Sequence, residues 1–193
     1  MSRETSLFDA YWSDPHFGHA KVIEYSKRPF NSVEEMNETL IQRYNEIVGP
    51  KDTCLCVGDM FFGPFEAAEE VMSRLNGRKV LVLGNHDRTA TRMSKTGFLL
   101  VTDLMTLNID NHVVRVSHYP YAGMKSHEPT EPDREVTAVG WRRNGKQEML
   151  MHGHTHSTKK RDGMAIHVGV DAWDYRPATH DQIVELVREA NSR

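Results

Sequence analysis

Short apolar runs alternate along this chain with segments whose apolar residues recur every three or four positions. That alternation is the pattern of strands interleaved with helices in an α/β protein. Leu7–Ser13 reads as a first strand ending at Asp14, Thr53–Gly58 as a second ending at Asp59, and Lys79–Leu83 as a third ending at Gly84-Asn85. Val33, Met36, Leu40, Tyr44 and Ile47 repeat at helical spacing, and Ser32 with Glu35 forms a capping box at their start. Phe65–Leu75 is a further helix, stopped by Asn76-Gly77. Phe98–Leu107 and Asn108–Ser117 read as neighbouring strands with a turn near Asn108 or Asp110–Asn111; Gln147–Met151 and Met164–Val170 are two more. A closing helix begins near Thr179, where Gln182 offers a second capping box, and runs through Ile183, Leu186 and Val187. The polar stretch from Tyr119 to Gly145, with Pro120, Pro129 and Pro132, is long for a connection and predicts a functional loop.

A chain of 193 residues with no repeat and no linker is expected to form a single domain, residues 1–193. Its 38% hydrophobic and 26% charged residues are ordinary for a globular protein, so composition excludes a disordered or fibrous chain. A net charge of −3 argues against a broad basic face for long nucleic acid, and leaves room for small phosphate substrates held by metals. No segment approaches a membrane-spanning length, and MSRETSLFDAYW lacks the apolar core of a signal peptide. A cytoplasmic location is therefore expected, with the oligomeric state left open. Cys54 and Cys56, at i,i+2 spacing, share one face of a strand and are poorly placed to bridge each other; buried thiols in a reducing compartment are expected.

The 11 histidines change the picture, because several stand just after strands. Asp14 and His16 follow the first strand, Asp59 the second, and Asn85, His86 and Asp87 the third; His118 closes a later strand, and His154 and His156 follow another. Carboxyl ends of strands in open α/β sheets border the ligand crevice. Two aspartates, one asparagine carbonyl and four histidines suit a pair of divalent ions, with a carboxylate able to bridge them. Thiolate is absent from the set, which argues against a structural zinc knot. Asp-x-His or His-x-His alone is a common turn sequence; the two together with Gly-Asp and Gly-Asn-His-Asp, in this order, are distinctive.

Asp14-Pro15-His16, Gly58-Asp59, Gly84-Asn85-His86-Asp87, His118 and Gly153-His154-Thr155-His156 resemble the calcineurin-like metallophosphoesterase superfamily, with all five blocks in its order. The resemblance implies a four-layer α/β/β/α sandwich of two mixed β-sheets with a dimetal site on one edge. It implies Asp14, His16 and His156 on one ion, Asn85, His118 and His154 on the other, and Asp59 bridging. The cofactors implied are two divalent metals, manganese foremost, with iron, zinc or nickel as alternatives. The activity implied is hydrolysis of a phosphoester by a hydroxide held between the ions, with His86 as general acid and Asp87 orienting it. A small phosphodiester, such as a 2′,3′-cyclic nucleotide, is the substrate to expect first. A phosphomonoester is the alternative, and a metal-binding scaffold without catalysis is the alternative of a different class.

Departures narrow the choice. Protein Ser/Thr phosphatases of the superfamily continue Gly-Asp into Val-Asp-Arg-Gly and carry Gly-Asn-His-Glu, whereas this chain has Gly58-Asp59-Met60-Phe61-Phe62-Gly63 and Asp87. Its DNA-repair nucleases carry capping and dimerisation segments for which little chain remains. Pro15 within the first motif confines Asp14 to extended backbone. His19 either reaches the substrate phosphate or starts a helix, and Arg28 either meets that phosphate or, with Lys27, forms a solvated surface pair. Arg88, Arg142-Arg143 and Lys159-Lys160-Arg161 read as surface charge. His112, His127, His152, His167 and His180 read as structural, and Trp173-Asp174-Tyr175 as core or rim.

Overall fold

The computed structural model describes residues 6–121, 142–143 and 146–192. The greater part of the Tyr119–Gly145 loop, with His127, Pro129 and Pro132, lies outside them, as do the side chains of Arg142 and Arg143. In the first sheet β1 (Ala10–Trp12), β2 (Thr53–Cys56), β3 (Arg78–Val82) and β4 (Leu100–Thr102) run parallel in that order. β12 (Ala178–Thr179) pairs antiparallel with the free edge of β1. The second sheet is ordered β10 (Arg161–Asp162), β11 (Ala165–His167), β9 (Met149–His152), β6 (His112–Val116), β5 (Met105–Ile109), with β9 parallel to both neighbours and the outer pairs antiparallel. A two-residue ribbon, β7 (Arg142–Arg143) with β8 (Lys146–Gln147), stands apart.

Parallel strands buried on both faces explain the unbroken apolar runs. Ala10, Trp12, Cys54 and Cys56 face a cluster that includes Val22 of α1 (Ala20–Tyr25), Met36, Leu40, Ile41 and Tyr44 of α2 (Val33–Ile47), Met72 of α3 (Phe65–Arg74) and Met93 of α4 (Ala90–Met93). Trp12 and Tyr44 meet there with ring centroids 4.7 Å apart. Tyr11, Leu55, Val80 and Val82 point the other way, into a cluster with Val114, Val116, Met149, Met151 and Ile166 of the second sheet. The two sheets therefore pack face to face, each buried Leu, Val or Met contributing about 1.5–3 kcal/mol. Ile183 and Val187 of α5 (His180–Asn191) join this inter-sheet cluster. The clusters of the described residues thus account for a helical layer and two sheets. The fold is α/β with two mixed sheets, and both cysteines are buried and unbridged.

Several local expectations need correcting. Phe98–Leu107 is not one strand: β4 closes the first sheet, the chain crosses at Asp103–Leu104, and β5 opens the second. An apolar run interrupted only by Thr102, Asp103 and Thr106 carries no sign that it changes sheets. The hairpin turn is at Asp110–Asn111, with φ of 51° and 62°, which leaves Asn108 inside β5. Ser32 caps α2 by accepting from the Glu35 amide at 3.1 Å, but Glu35 returns its bond to the Asn31 amide, so the box is only half formed. The box of Thr179 and Gln182 is complete. Among the described residues no helix is long and apolar enough to cross a membrane.

Candidate metal centre

Each expected ligand sits just beyond the carboxyl end of a strand: Asp14 and His16 after β1, Asp59 after β2, Asn85 after β3, His118 after β6, His154 and His156 after β9. Parallel pairing within each sheet aligns those ends, and an isolated bridge between Ser13 and Gly169 ties the end of β1 to the end of β11. Asp14, His16, Asp59, His154 and His156 all adopt left-handed backbone, with φ between 48° and 67°, so Asp14 does not hold the extended backbone that Pro15 predicts. The left-handed conformation costs roughly 1–3 kcal/mol per residue and persists only where surrounding contacts impose it.

Those contacts are visible. The Asp14 amide donates to Gly58 O at 3.1 Å, and the His16 amide to Asp59 O at 3.1 Å. The His154 amide donates to both oxygens of Asp14, at 3.0 and 3.1 Å. Asp87 accepts from the amides of Asp59, Met60 and Gly84, each at 2.9 Å, and so ties the β2 turn to the β3 turn. Two glycines allow the close approach. A Cβ on Gly153 would stand 2.4 Å from Asp14 Oδ2, and one on Gly84 2.1 Å from Asp59 Oδ1.

The result is two ligand sets. Asp14, His16 and His156 bring their donor atoms within 4.8 Å of one another, and Asp59, His118 and His154 do the same. Asn85 Oδ1 joins the second set, 3.1 Å from His118 Nε2 and 3.0 Å from His154 Nδ1. Asp59 Oδ2 lies 3.2 Å from His118 Nε2 and 3.6 Å from His16 Nε2, within reach of both sets. His118 hands its Nδ1 to Val57 O at 2.8 Å, which turns Nε2 inward. Two clusters of histidine and aspartate could therefore hold metal ions.

Electrostatics support that fit. Asp14, His16, Asp59 and His118 are at most 1% exposed, a concentration of ionisable groups that a protein does not bury without compensation. Burial pushes the Asp14 carboxyl up and drives His16 well below the ordinary histidine range. Burial also disfavours charge at His118, but the adjoining Asp59 carboxylate outweighs it and lifts this imidazole to about 10; Asp59 is pulled down in return despite its own burial. Among the described residues, buried His16 Nε2 has no hydrogen-bond partner, and a cation is the natural acceptor of its lone pair. The donors are nitrogen and oxygen only, which suits divalent transition metals.

His86 stands beside the sets: its ring lies 5.3 Å from His16, and its amide donates to Asp59 Oδ1 at 2.9 Å. His19 Nδ1 lies 3.3 Å from His16 Nδ1, and its ring stacks on half-exposed Phe62 at 4.2 Å, a place behind a ligand rather than at a helix start alone. Arg28 departs from both expectations. It is buried, and all five of its donors are engaged: Asp171 Oδ1 and Oδ2, Asp14 O, Pro15 O and Met36 Sδ. Neither a solvated pair nor a phosphate contact is compatible with that. Asp171 went unnoticed in the sequence although it follows the Met164–Val170 run directly, the position that flagged the other ligands; its carboxylate receives His156 Nδ1 at 2.9 Å. Arg88 is exposed and donates to Gly63 O, and Trp173 belongs to the inter-sheet core.

Fold and site together define an α/β protein with two mixed sheets and a paired histidine–aspartate centre at the strand ends. The chain belongs to the family of the Uncharacterized protein MJ1445 of Methanocaldococcus jannaschii, with 30% identity over 186 residues that cover 92% of this chain and 89% of that one. The Gene 66 protein of Mycobacterium phage L5 is 30% identical over 200 residues, covering 92% of each chain. The protein of unknown function AQ665 from Aquifex aeolicus shares the fold, with a TM-score of 0.67 at 22% identity over 92% of this chain and 97% of that one. No family model matches the chain.

Proposed function

We propose that this protein is a metal-dependent phosphoesterase of the calcineurin-like type, acting on small phosphodiesters through a pair of divalent ions. One observation carries the reading: two three-residue donor clusters lie together, Asp59 of one standing 3.6 Å from His16 of the other, with His86 beside them. Bound there, two divalent ions would supply Lewis acidity toward the phosphoryl oxygens and toward water. Asp14, His16 and His156 would hold one, Asn85, His118 and His154 the other, and Asp59 both. Manganese is the ion to try first, then iron, zinc and nickel.

The residues of the chain supply the rest. His86, partly exposed and with its amide donating to Asp59, is the group that would give a proton to the leaving oxygen. Asp87 fixes the turn that carries His86 through its three backbone bonds, and its role reaches the acid by that path. His19, against His16 and Phe62, would act on the substrate from behind His16, by way of that ligand. The preference for diesters over monoesters, and for cyclic nucleotides among them, follows the sequence resemblance.

The test is hydrolysis of bis-p-nitrophenyl phosphate by manganese-loaded protein beside His86→Ala, with p-nitrophenyl phosphate and 2′,3′-cyclic nucleotides as companions. His86→Ala should bind two ions as wild type does and lose about 10²–10⁴-fold in turnover. Turnover by the wild type no greater than by loaded His86→Ala would refute the reading and favour a non-catalytic scaffold.

A further inference from the structure

His156 is supported from two distant parts of the chain. Its Nδ1 lies 2.9 Å from Asp171 Oδ2, in the 3₁₀ turn Val170–Ala172 that follows β11. A carboxylate facing an imidazole nitrogen accepts a hydrogen bond, so the hydrogen sits on Nδ1 and Nε2 is the nitrogen that would face an ion. Arg28 grips the same carboxylate with Nε to Oδ1 and Nη2 to Oδ2, both at 2.9 Å. The guanidinium then reaches across to the β1 turn, with Nη2 donating to Asp14 O at 2.7 Å and Nη1 to Pro15 O at 3.0 Å. The side chains of Arg28 and Asp171 are 0% and 4% exposed. One buried pair therefore bonds to His156 and to the backbone of Asp14 and Pro15, and none of these bonds is to Asn85, His118 or His154, although His154 shares the loop of His156 and its amide donates to Asp14.

We propose that Arg28 and Asp171 are positioning residues for one ion alone, the ion of Asp14, His16 and His156: Asp171 sets the tautomer of His156, and Arg28 locks the left-handed turn of Asp14 and His16 to it. The inference rests on the two-ion reading of the site. It predicts an asymmetric defect, because the pair is wired to one donor set. A role in folding alone would weaken both ions together and leave the His156 tautomer unchanged.

The experiment is calorimetric titration of chelator-stripped protein with manganese, together with long-range ¹⁵N–¹H spectra of the His156 ring in the metal-free state. Wild type should take up two ions and show the Nδ1–H form. Asp171→Asn keeps volume and shape but puts an amide against His156. It should weaken one ion roughly 10–100-fold, leave the other within about 2-fold, and change the ring-nitrogen pattern. Arg28→Met with Asp171→Leu removes both charges together, so no uncompensated charge is buried, and it should show the same one-ion loss if Asp171→Asn fails to fold. Two ions bound at wild-type strength by these variants, or an equal loss at both ions, would overturn the positioning role while leaving the phosphoesterase reading intact. A wild type that binds no manganese but shows the Nδ1–H form would overturn both readings, the spectra placing the failure in the metal rather than in the Asp171–His156 bond.

Discussion

Replacing Gly84 by alanine adds a methyl group 2.1 Å from Asp59 Oδ1, 2.7 Å from the Asp59 amide nitrogen and 2.9 Å from its carboxyl carbon. Ordinary contact for a Cβ begins at 3.4 Å, so carboxylate and turn must separate by about 1 Å. Asp59 has no room to yield on its own. Oδ1 is held by the His86 amide at 2.9 Å, Oδ2 faces His118 at 3.2 Å, and the Asp59 amide is bound to Asp87 at 2.9 Å. Gly84 itself is not in left-handed backbone, so alanine fails there for space rather than for conformation. Overpacking of this kind costs about 1–3 kcal/mol, which in a chain of this size lowers the melting temperature by roughly 3–10 °C. A carboxylate displaced by about 1 Å at a reacting centre costs on the order of 10²-fold in turnover. Gly163→Ala is the control: with φ of 59° and nothing within 4 Å, it should lose about 1–2 kcal/mol through strain and keep its turnover. Thermal melts and manganese-dependent hydrolysis of bis-p-nitrophenyl phosphate read both effects. Wild-type turnover in Gly84→Ala would refute the claim that Asp59 must stand where it does.

Other expectations are simpler. Burial holds His152 at about 4, below its unfolded value near 6.5, so the unfolded chain binds the extra proton between these pH values; stability present above pH 6.5 is lost as pH falls toward 4. Asp87, raised to about 6 by burial and by Asp59, opposes this in part of the same window, so the reading is by difference. Metal-free wild type should lose up to about 3 kcal/mol relative to His152→Gln between pH 6.5 and 4 in urea titrations, and parallel curves would show that His152 does not govern the loss. Thr179→Ala removes the accepting half of the complete capping box of α5 and should cost about 1 kcal/mol by the same method. Arg74→Ala, despite two bonds to Glu38, breaks an exposed pair and should leave the urea midpoint indistinguishable from that of the wild type.

Much of the centre was legible before any coordinates. Asp14, Asp59, Asn85 and His154 announce themselves because each follows an apolar run that only a buried strand explains, and such strands deliver their carboxyl ends to a common edge. Asp171 obeys the same rule and was passed over because a lone aspartate matches no motif. Arg28 was misjudged because its burial depends on Asp171, 143 residues away, which no local pattern can show. The split of Phe98–Leu107 between two sheets was hidden for a related reason: both halves are apolar, and periodicity does not say which sheet a strand joins.

What the amino-acid order alone determined is the alternation of strands and helices, the helix caps at Ser32 and Thr179, and the identity of the donor residues. These depend on the spacing of side chains a few positions apart, and that spacing is set by the backbone. What only the tertiary structure decided is that the histidines and aspartates gather in two clusters, that Asp59 lies within 3.6 Å of histidine nitrogens from both, and that Arg28 is bound inward rather than presented to a phosphate. These depend on atoms brought within about 3 Å by the packing of two sheets, and distances of that kind exist only once the inter-sheet core has formed.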